Sequence, residues 1–145
     1  MYKLWSLLLV IAAAILPSAS MADAHARKVR IALQGGRVLT ATLEDSASAR
    51  DFAALLPLSL TMNDLLTREK LGTLPRPLSL DGKRTSTYEV GDLALWPPGP
   101  GLAIFYRHDG RQISGSGLIL LGRIDGDVSM LAGPDPVRAT IALAK

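Results

Sequence analysis

Four side chains in the second half of the chain are of types that grip a ligand: Arg76, Trp96, Phe105 and Arg107. Arg76 stands between Pro75 and Pro77, on a segment stiffened by two fixed φ angles, which suits a preorganised contact to an anion or a carbonyl. A surface ion pair with Glu69 or Asp81 is its commoner use. Trp96 immediately precedes Pro97-Pro98, where it either walls a pocket or closes the end of a barrel. Phe105 and Arg107 fall with Ala103 on one face of an extended segment, while Ile104 and Tyr106 fall on the other. If one face is core, the other presents Phe105 and Arg107 to a groove. The alternative is that Phe105 covers a second small core and Arg107 is solvated. Tyr88 and Glu69 rank behind these four.

Other chemistries find little support. The chain has no cysteine, which removes thiol nucleophiles, thiolate metal sites and protein-thiol redox. His25 lies in the N-terminal tail and His108 in a His-Asp-Gly turn, and neither is tied to a nucleophile. Gly115-Ser116-Gly117 lacks the strand-to-helix setting of a nucleophile elbow. Asp125-Gly126-Asp127 lacks the further ligands of a calcium loop and reads as a turn. The glycine-rich segments match neither phosphate-loop spacing. No metal or cofactor is implied, and these patterns identify no catalytic residue.

The elements that must position these residues are mostly strands. Arg27 to Gln34 alternates, with Val29, Ile31 and Leu33 on one face. Gly35-Gly36 turns the chain, and Arg37 to Leu43 runs back, so a β-hairpin opens the domain. Ala49, Phe52, Ala53 and Leu56 then form one helical stripe, with Ser48 as the expected N-cap, Asp51 in the first turn and Pro57 as the stop. Leu58 to Met62 alternates as a third strand, whereas Asn63 to Gly72 has no clear period and reads equally as a turn of helix or a twisted strand. Thr73 to Leu78 carries two prolines and is no central strand, and Asp81 to Thr87 reads as a polar loop. Leu93 to Trp96 is a strand ended by Pro97-Pro98-Gly99-Pro100.

Gly101 to Leu131 is the stretch around which the rest is organised. It reads as two strands, Leu102 to Arg107 and Leu118 to Ile124, a long polar loop between them that can shape a pocket mouth, and a short helix-like segment after. Val137, Ala139, Ile141 and Leu143 alternate in a last strand. Roughly seven or eight short strands with one or two short helices and no βαβ rhythm predict a mainly β protein, a small closed antiparallel barrel or a sandwich.

Lys3, the apolar run Leu4 to Leu16, Pro17 and the small-residue string through Ala24 have the form of a cleaved signal peptide over residues 1–24, leaving residues 25–145 as one domain. The run is shorter than the ~20 residues a spanning helix needs. A periplasmic or secreted protein is expected, with a mature start at Asp23 or His25 and no membrane attachment afterwards. The formal charge of +3 is dispersed, with no basic block, so nucleic acid is not an expected partner.

Several strings, in this order, resemble the cyclophilin fold, most closely the small bacterial cyclophilin-like proteins. SASARDFAALLP is similar to the first helix, GLAIFY to the glycine-led groove strand, and LILLGRIDGDVSML to a later strand, its turn and a short helix. TLPRPL, EVGDLALW and VRATIALA fit the same small family. The resemblance implies a small closed barrel with helical plugs, and it brings prolyl isomerisation into view. Cyclophilins hold proline in an apolar pocket and aim an arginine, from a Phe-His-Arg string, at the prolyl amide. This chain has no such string. Where Gln-Phe-Phe would sit it has Ala103-Ile104-Phe105, so only Phe105 matches a pocket residue. The pocket histidine corresponds to about Leu118 and the tryptophan to about Ile113. The expectation is a barrel that binds a proline-containing peptide or small ligand without the standard isomerase residues. The alternative is a periplasmic isomerase using a displaced arginine, Arg76 or Arg107.

Overall fold

A computed structural model describes residues 26–145; the expected signal segment and His25 lie outside the described residues. The opening hairpin pairs β1 (Lys28–Leu33) with β2 (Val38–Leu43). Its turn carries Gly35 and Gly36 at φ of +98° and +92°, a conformation that residues with a Cβ rarely adopt. Helix α1 (Ala47–Ala54) follows, then β3 (Leu58–Leu65), β4 (Glu69–Thr73), β5 (Lys83–Thr85), β6 (Asp92–Trp96), β7 (Gly101–Phe105) and β8 (Leu118–Ile124). A 3-10 turn (Ser129–Leu131) and β9 (Val137–Leu143) complete the chain.

The strands pair antiparallel in the order β2-β1-β9-β3-β4-β7-β6-β8, and β2 meets β8 to close the ring. The expected closed antiparallel barrel is therefore what forms, with eight strands in the ring and β5 added on β8 beside the closure. Closure depends on a close approach. Gly122 of β8 lies opposite Leu43, and a Cβ there would collide with the carbonyl oxygen of Thr42 and the Cα of Leu43.

Alternation decides what fills the barrel. Val29, Ile31, Leu39, Ala41, Met62, Leu102, Ile104, Ile119, Leu121, Ala139 and Ile141 turn inward into one core. Helix α1 plugs this core through Ala49, Phe52 and Ala53. An eight-residue helix is unstable alone, and full burial of Phe52, at 0 % exposed, contributes about 1.5–3 kcal/mol to holding it.

Alternate residues of β6, β7 and β8 face outward, and there a second cluster covers the barrel wall. Ala94, Ala103, Phe105 and Leu118 form its floor, Tyr88 and Ile113 arrive from loops, and Leu71 and Trp96 lie at its margin.

Several details differ from the sequence expectations. The N-cap of α1 is Ser46, whose side-chain oxygen accepts from the Ala49 amide at 3.1 Å. Ser48 is buried instead, donating to the Ser79 carbonyl, while the Asp51 carboxylate accepts from the Ser79 amide at 2.7 Å. Both serines can cap, and the tertiary partner at Ser79 decides between them. Asn63 to Gly72 forms the β3–β4 hairpin. Lys83–Thr85, expected in a loop, gains the edge of β8. The strand expected to run to Arg107 stops at Phe105, because the Arg68 carbonyl accepts both the Tyr106 and Arg107 amides, at 3.0 and 3.2 Å. The sequence alone assigns no partners to Leu102 to Arg107 and Leu118 to Ile124; in the ring β6 lies between β7 and β8. No helix among the described residues is long and apolar enough to cross a membrane.

Candidate functional site

Three consecutive charged residues enter buried positions at the start of β4: Arg68, Glu69 and Lys70, at 5 %, 0 % and 1 % exposure. The turn that delivers them is itself costly. Leu66 and Thr67 hold φ of +57° and +52°, a left-handed backbone disfavoured by about 1–2 kcal/mol per residue when a Cβ is present. Asp64 Oδ2 accepts from the Thr67 amide at 3.1 Å and helps hold the turn. Strand alternation then sends Glu69 outward, opposite Phe105, and Lys70 inward, opposite Ile104.

On the outer face the Glu69 carboxylate accepts hydrogen bonds from Arg68 Nε and Trp96 Nε1, with Arg68 Nη2 beside it as an ion-pair contact. Arg68 Nε and Nη2 lie 2.8 and 2.7 Å from Oε2, and Trp96 Nε1 lies 2.7 Å from Oε1. Burial pushes the Glu69 carboxyl above its ordinary range, while the indole and guanidinium donors pull it down. With only donors around it, a carboxyl proton would have no acceptor, so the carboxylate is the form this geometry fits. Arg68 Nη1 reaches Asp109 Oδ2 at 3.4 Å. Burial disfavours the guanidinium charge, but the Glu69 carboxylate outweighs it and holds the Arg68 pKa above its usual value.

Above this ion pair the aromatic rings stack. Tyr88 lies on Phe105 with ring centroids 4.3 Å apart, and His108 lies on Tyr88 at the same separation. The Arg68 guanidinium sits 5.3 Å from the Tyr88 centroid and 5.6 Å from that of Phe105. The Tyr88 hydroxyl donates to Asp109 Oδ1 at 2.8 Å and accepts from the Asp109 amide at 2.9 Å.

The inward residue, Lys70, closes one end of the barrel. Its ammonium donates to Asp64 Oδ1 at 3.1 Å and to the carbonyls of Gly133 and Asp135 at 2.6 and 2.9 Å, which uses all three of its N–H groups. Tyr106 donates to the same Asp64 oxygen. Burial and then the Asp64 carboxylate push the Tyr106 phenol up to about 12. For Asp64, burial works upward, but the hydrogen bonds from Tyr106 and Lys70 prevail and lower its pKa.

Of the four residues singled out from sequence, two come together. Phe105 is fully buried in the outer cluster and Trp96 is half-buried at its margin, bonded to Glu69. Arg76 is exposed and bonds only its neighbour's carbonyl, Pro77 O, at 3.2 Å, and Arg107 is exposed beyond the end of β7. Ile113 and Leu118, which the resemblance equates approximately with the tryptophan and histidine of an isomerase pocket, lie in the same outer cluster as Phe105. Sequence reasoning missed Arg68, Asp109, Asp64 and Lys70. The available signal was the run Arg68-Glu69-Lys70 inside a segment bounded by strand-like residues, where charges on both faces of a strand demand buried partners. The face itself is filled. Two hollows among the described residues have volumes of about 410 and 270 Å³; the larger is lined by residues outside this cluster, and Tyr88 borders the smaller. No group of carboxylates and histidines among the described residues could hold a metal ion.

Removing one member of a buried pair strands the other. Glu69→Ala is expected to cost about 3–5 kcal/mol in denaturant unfolding, with most of it recovered when Arg68→Met is added. The Tyr106 phenol gives a pH signature. Its folded pKa lies above the unfolded value, so its contribution is complete below about 10 and is lost as pH rises toward 12. Stability measured between pH 9 and 12 should fall more steeply in the natural protein than in Tyr106→Phe.

Comparison with known proteins matches this description. A model of the cyclophilin-like family matches residues 33–142. No curated protein matches the chain. Among solved structures, the hypothetical protein AF2241 of Archaeoglobus fulgidus, determined in solution, has a similar fold. It is 20 % identical with a TM-score of 0.65, the match covering 81 % of this chain and 95 % of that one. With the closed barrel, the plugging helix and a family match over residues 33–142, the chain belongs to the cyclophilin-like family.

Proposed function

We propose that the protein is an exported binding module that takes a peptide or small ligand on the outer face of β4, β7 and β6, beside Trp96, and does not catalyse prolyl isomerisation. One observation carries the second half of this reading. The guanidinium over Phe105 is that of Arg68, and it is held by Glu69 and Asp109. An isomerase must weaken the double-bond character of an amide whose rotation barrier is ~20 kcal/mol, and a guanidinium neutralised by two carboxylates has little field left to aim at it. The competing reading, a periplasmic isomerase with a displaced arginine, draws on the exposure of Arg76 and Arg107.

A protease-coupled assay on X-Pro peptides separates the two. The expected result is the uncatalysed rate. A rate above it that disappears in Arg76→Ala or Arg107→Ala would establish the isomerase instead. In an NMR titration with proline-containing peptides, shifts should cluster at the Trp96 indole and the amides around Phe105; scattered shifts, or none, would count against a binding face.

Export rests on Lys3, the apolar run Leu4 to Leu16 and the small residues up to Ala24. Protein expressed from the full sequence in a bacterial host should be recovered from the periplasm with an amino terminus at Asp23 or His25 by mass spectrometry. Full-length protein confined to the cytoplasm would overturn it.

A further inference from the structure

The Tyr88 ring is held as a bound aromatic ligand would be held. Phe105 stacks on one face at 4.3 Å with an interplanar angle of 24°, and His108 on the other at 4.3 Å and 14°. The Arg68 guanidinium approaches the ring, and Asp109 both accepts from and donates to the hydroxyl. These groups come from the β3–β4 turn, from β7 and from the loop after it, not from the neighbours of Tyr88. The small side chains of Ala94 and Ala103 complete the floor of the cluster.

Tyr88 is also the single buried residue from Ser86 to Val90, with exposed Thr87 and Glu89 on either side. The ring is the segment's one buried side chain, and backbone hydrogen bonds flank it: the Ser86 carbonyl accepts from the Ile113 amide at 2.7 Å and the Glu89 amide donates to Asp92 Oδ2 at 2.9 Å. What lies over the ring is His108, an exposed residue, so the slot is one ring deep from solvent. An open, polar surface hollow bordered by Thr85, Glu89, Asp92 and Arg123 adjoins the ring.

The geometry points to a ring-binding slot between Phe105 and His108 that this chain closes with its own Tyr88, and that opens to a peptide presenting a tyrosine side chain. The inference rests on the reading that this outer face takes a ligand, and it names the ligand's chemistry and the contact that regulates access. An incoming phenol gains the stacking, the guanidinium and the Asp109 hydrogen bonds that Tyr88 gives up. Because Tyr88 competes intramolecularly, the apparent affinity equals the intrinsic affinity reduced by the open fraction. Weakening closure without altering the walls must therefore tighten binding.

Tyr88→Phe does this, keeping the ring and removing the hydroxyl bonded to Asp109. N-acetyl-tyrosinamide is titrated into the natural protein and into Tyr88→Phe, followed by NMR at the Trp96 indole and the amides of residues 86–90. The natural protein should bind weakly, with the 86–90 amides moving as the segment is released. Tyr88→Phe should bind roughly tenfold more tightly, the size expected for loss of a hydrogen bond to a charged group. A buried tyrosine with a purely structural role predicts equal or weaker binding in the variant, and that result would overturn the inference. So would binding that leaves residues 86–90 unmoved. If a proline-containing peptide shifts Trp96 while Tyr88 stays stacked, the slot is rejected and the binding face stands. If neither probe binds either protein, both fall.

Discussion

Glu69 has no exposed surface; the Arg68 guanidinium pairs with one of its oxygens and the Trp96 indole donates to the other. A carboxylate taken out of water costs several kcal/mol unless its partners are in place, so the surrounding structure must hold Arg68 and the Trp96 indole where they are. Much follows from that demand. Arg68 can bond Glu69 only if the chain turns abruptly before it, and the turn does so through the left-handed Leu66 and Thr67. Trp96 ends β6, so the same carboxylate ties β6 to β4 on either side of β7. Through Asp109 the ion pair also anchors the loop beyond β7, and through that loop the stack of Tyr88 and His108.

The barrel wall at this place is a two-sided layer. Inside, Leu93, Leu95, Leu102 and Ile104 join the main core; outside, Ala94, Ala103 and Phe105 carry a second one. Alanines on the outer side leave the depth of one ring, and Tyr88 and Ile113 occupy it. In this cyclophilin-like chain, the outer face of the β4–β7–β6 wall is closed by the protein's own side chains, and its cation is neutralised by two carboxylates. The proposed binding role draws on this closed, charge-neutralised face.

How much was legible follows from what each residue's environment depends on. Where one face of a strand is core and the other is solvent, alternation reports the strand directly, as in Val29-Ile31-Leu33 and Val137 to Leu143. At β4 both faces are buried, so Glu69 and Lys70 are consecutive charges at 0 % and 1 % exposure and the period disappears. Likewise β5 is a strand only because β8 has a free edge beside the β2 closure, a fact of topology that three polar residues cannot signal. Phe105 and Trp96 were recognisable as site candidates from type and setting. Arg68 was not, since its role depends on Asp109, 41 residues away in the chain.

The sequence by itself determined the strand count to within one or two, the mainly β class and one clear helix, because these rest on local periodicity and turn chemistry. The choice of barrel over sandwich came from the resemblance to the cyclophilin fold. The tertiary structure decided which serine caps α1, that β6 separates β7 from β8, and that Arg68 rather than Arg76 or Arg107 lies over Phe105. Those outcomes depend on partners brought together by barrel closure. A buried charge or a stacked ring is defined by what surrounds it, and no local pattern records that.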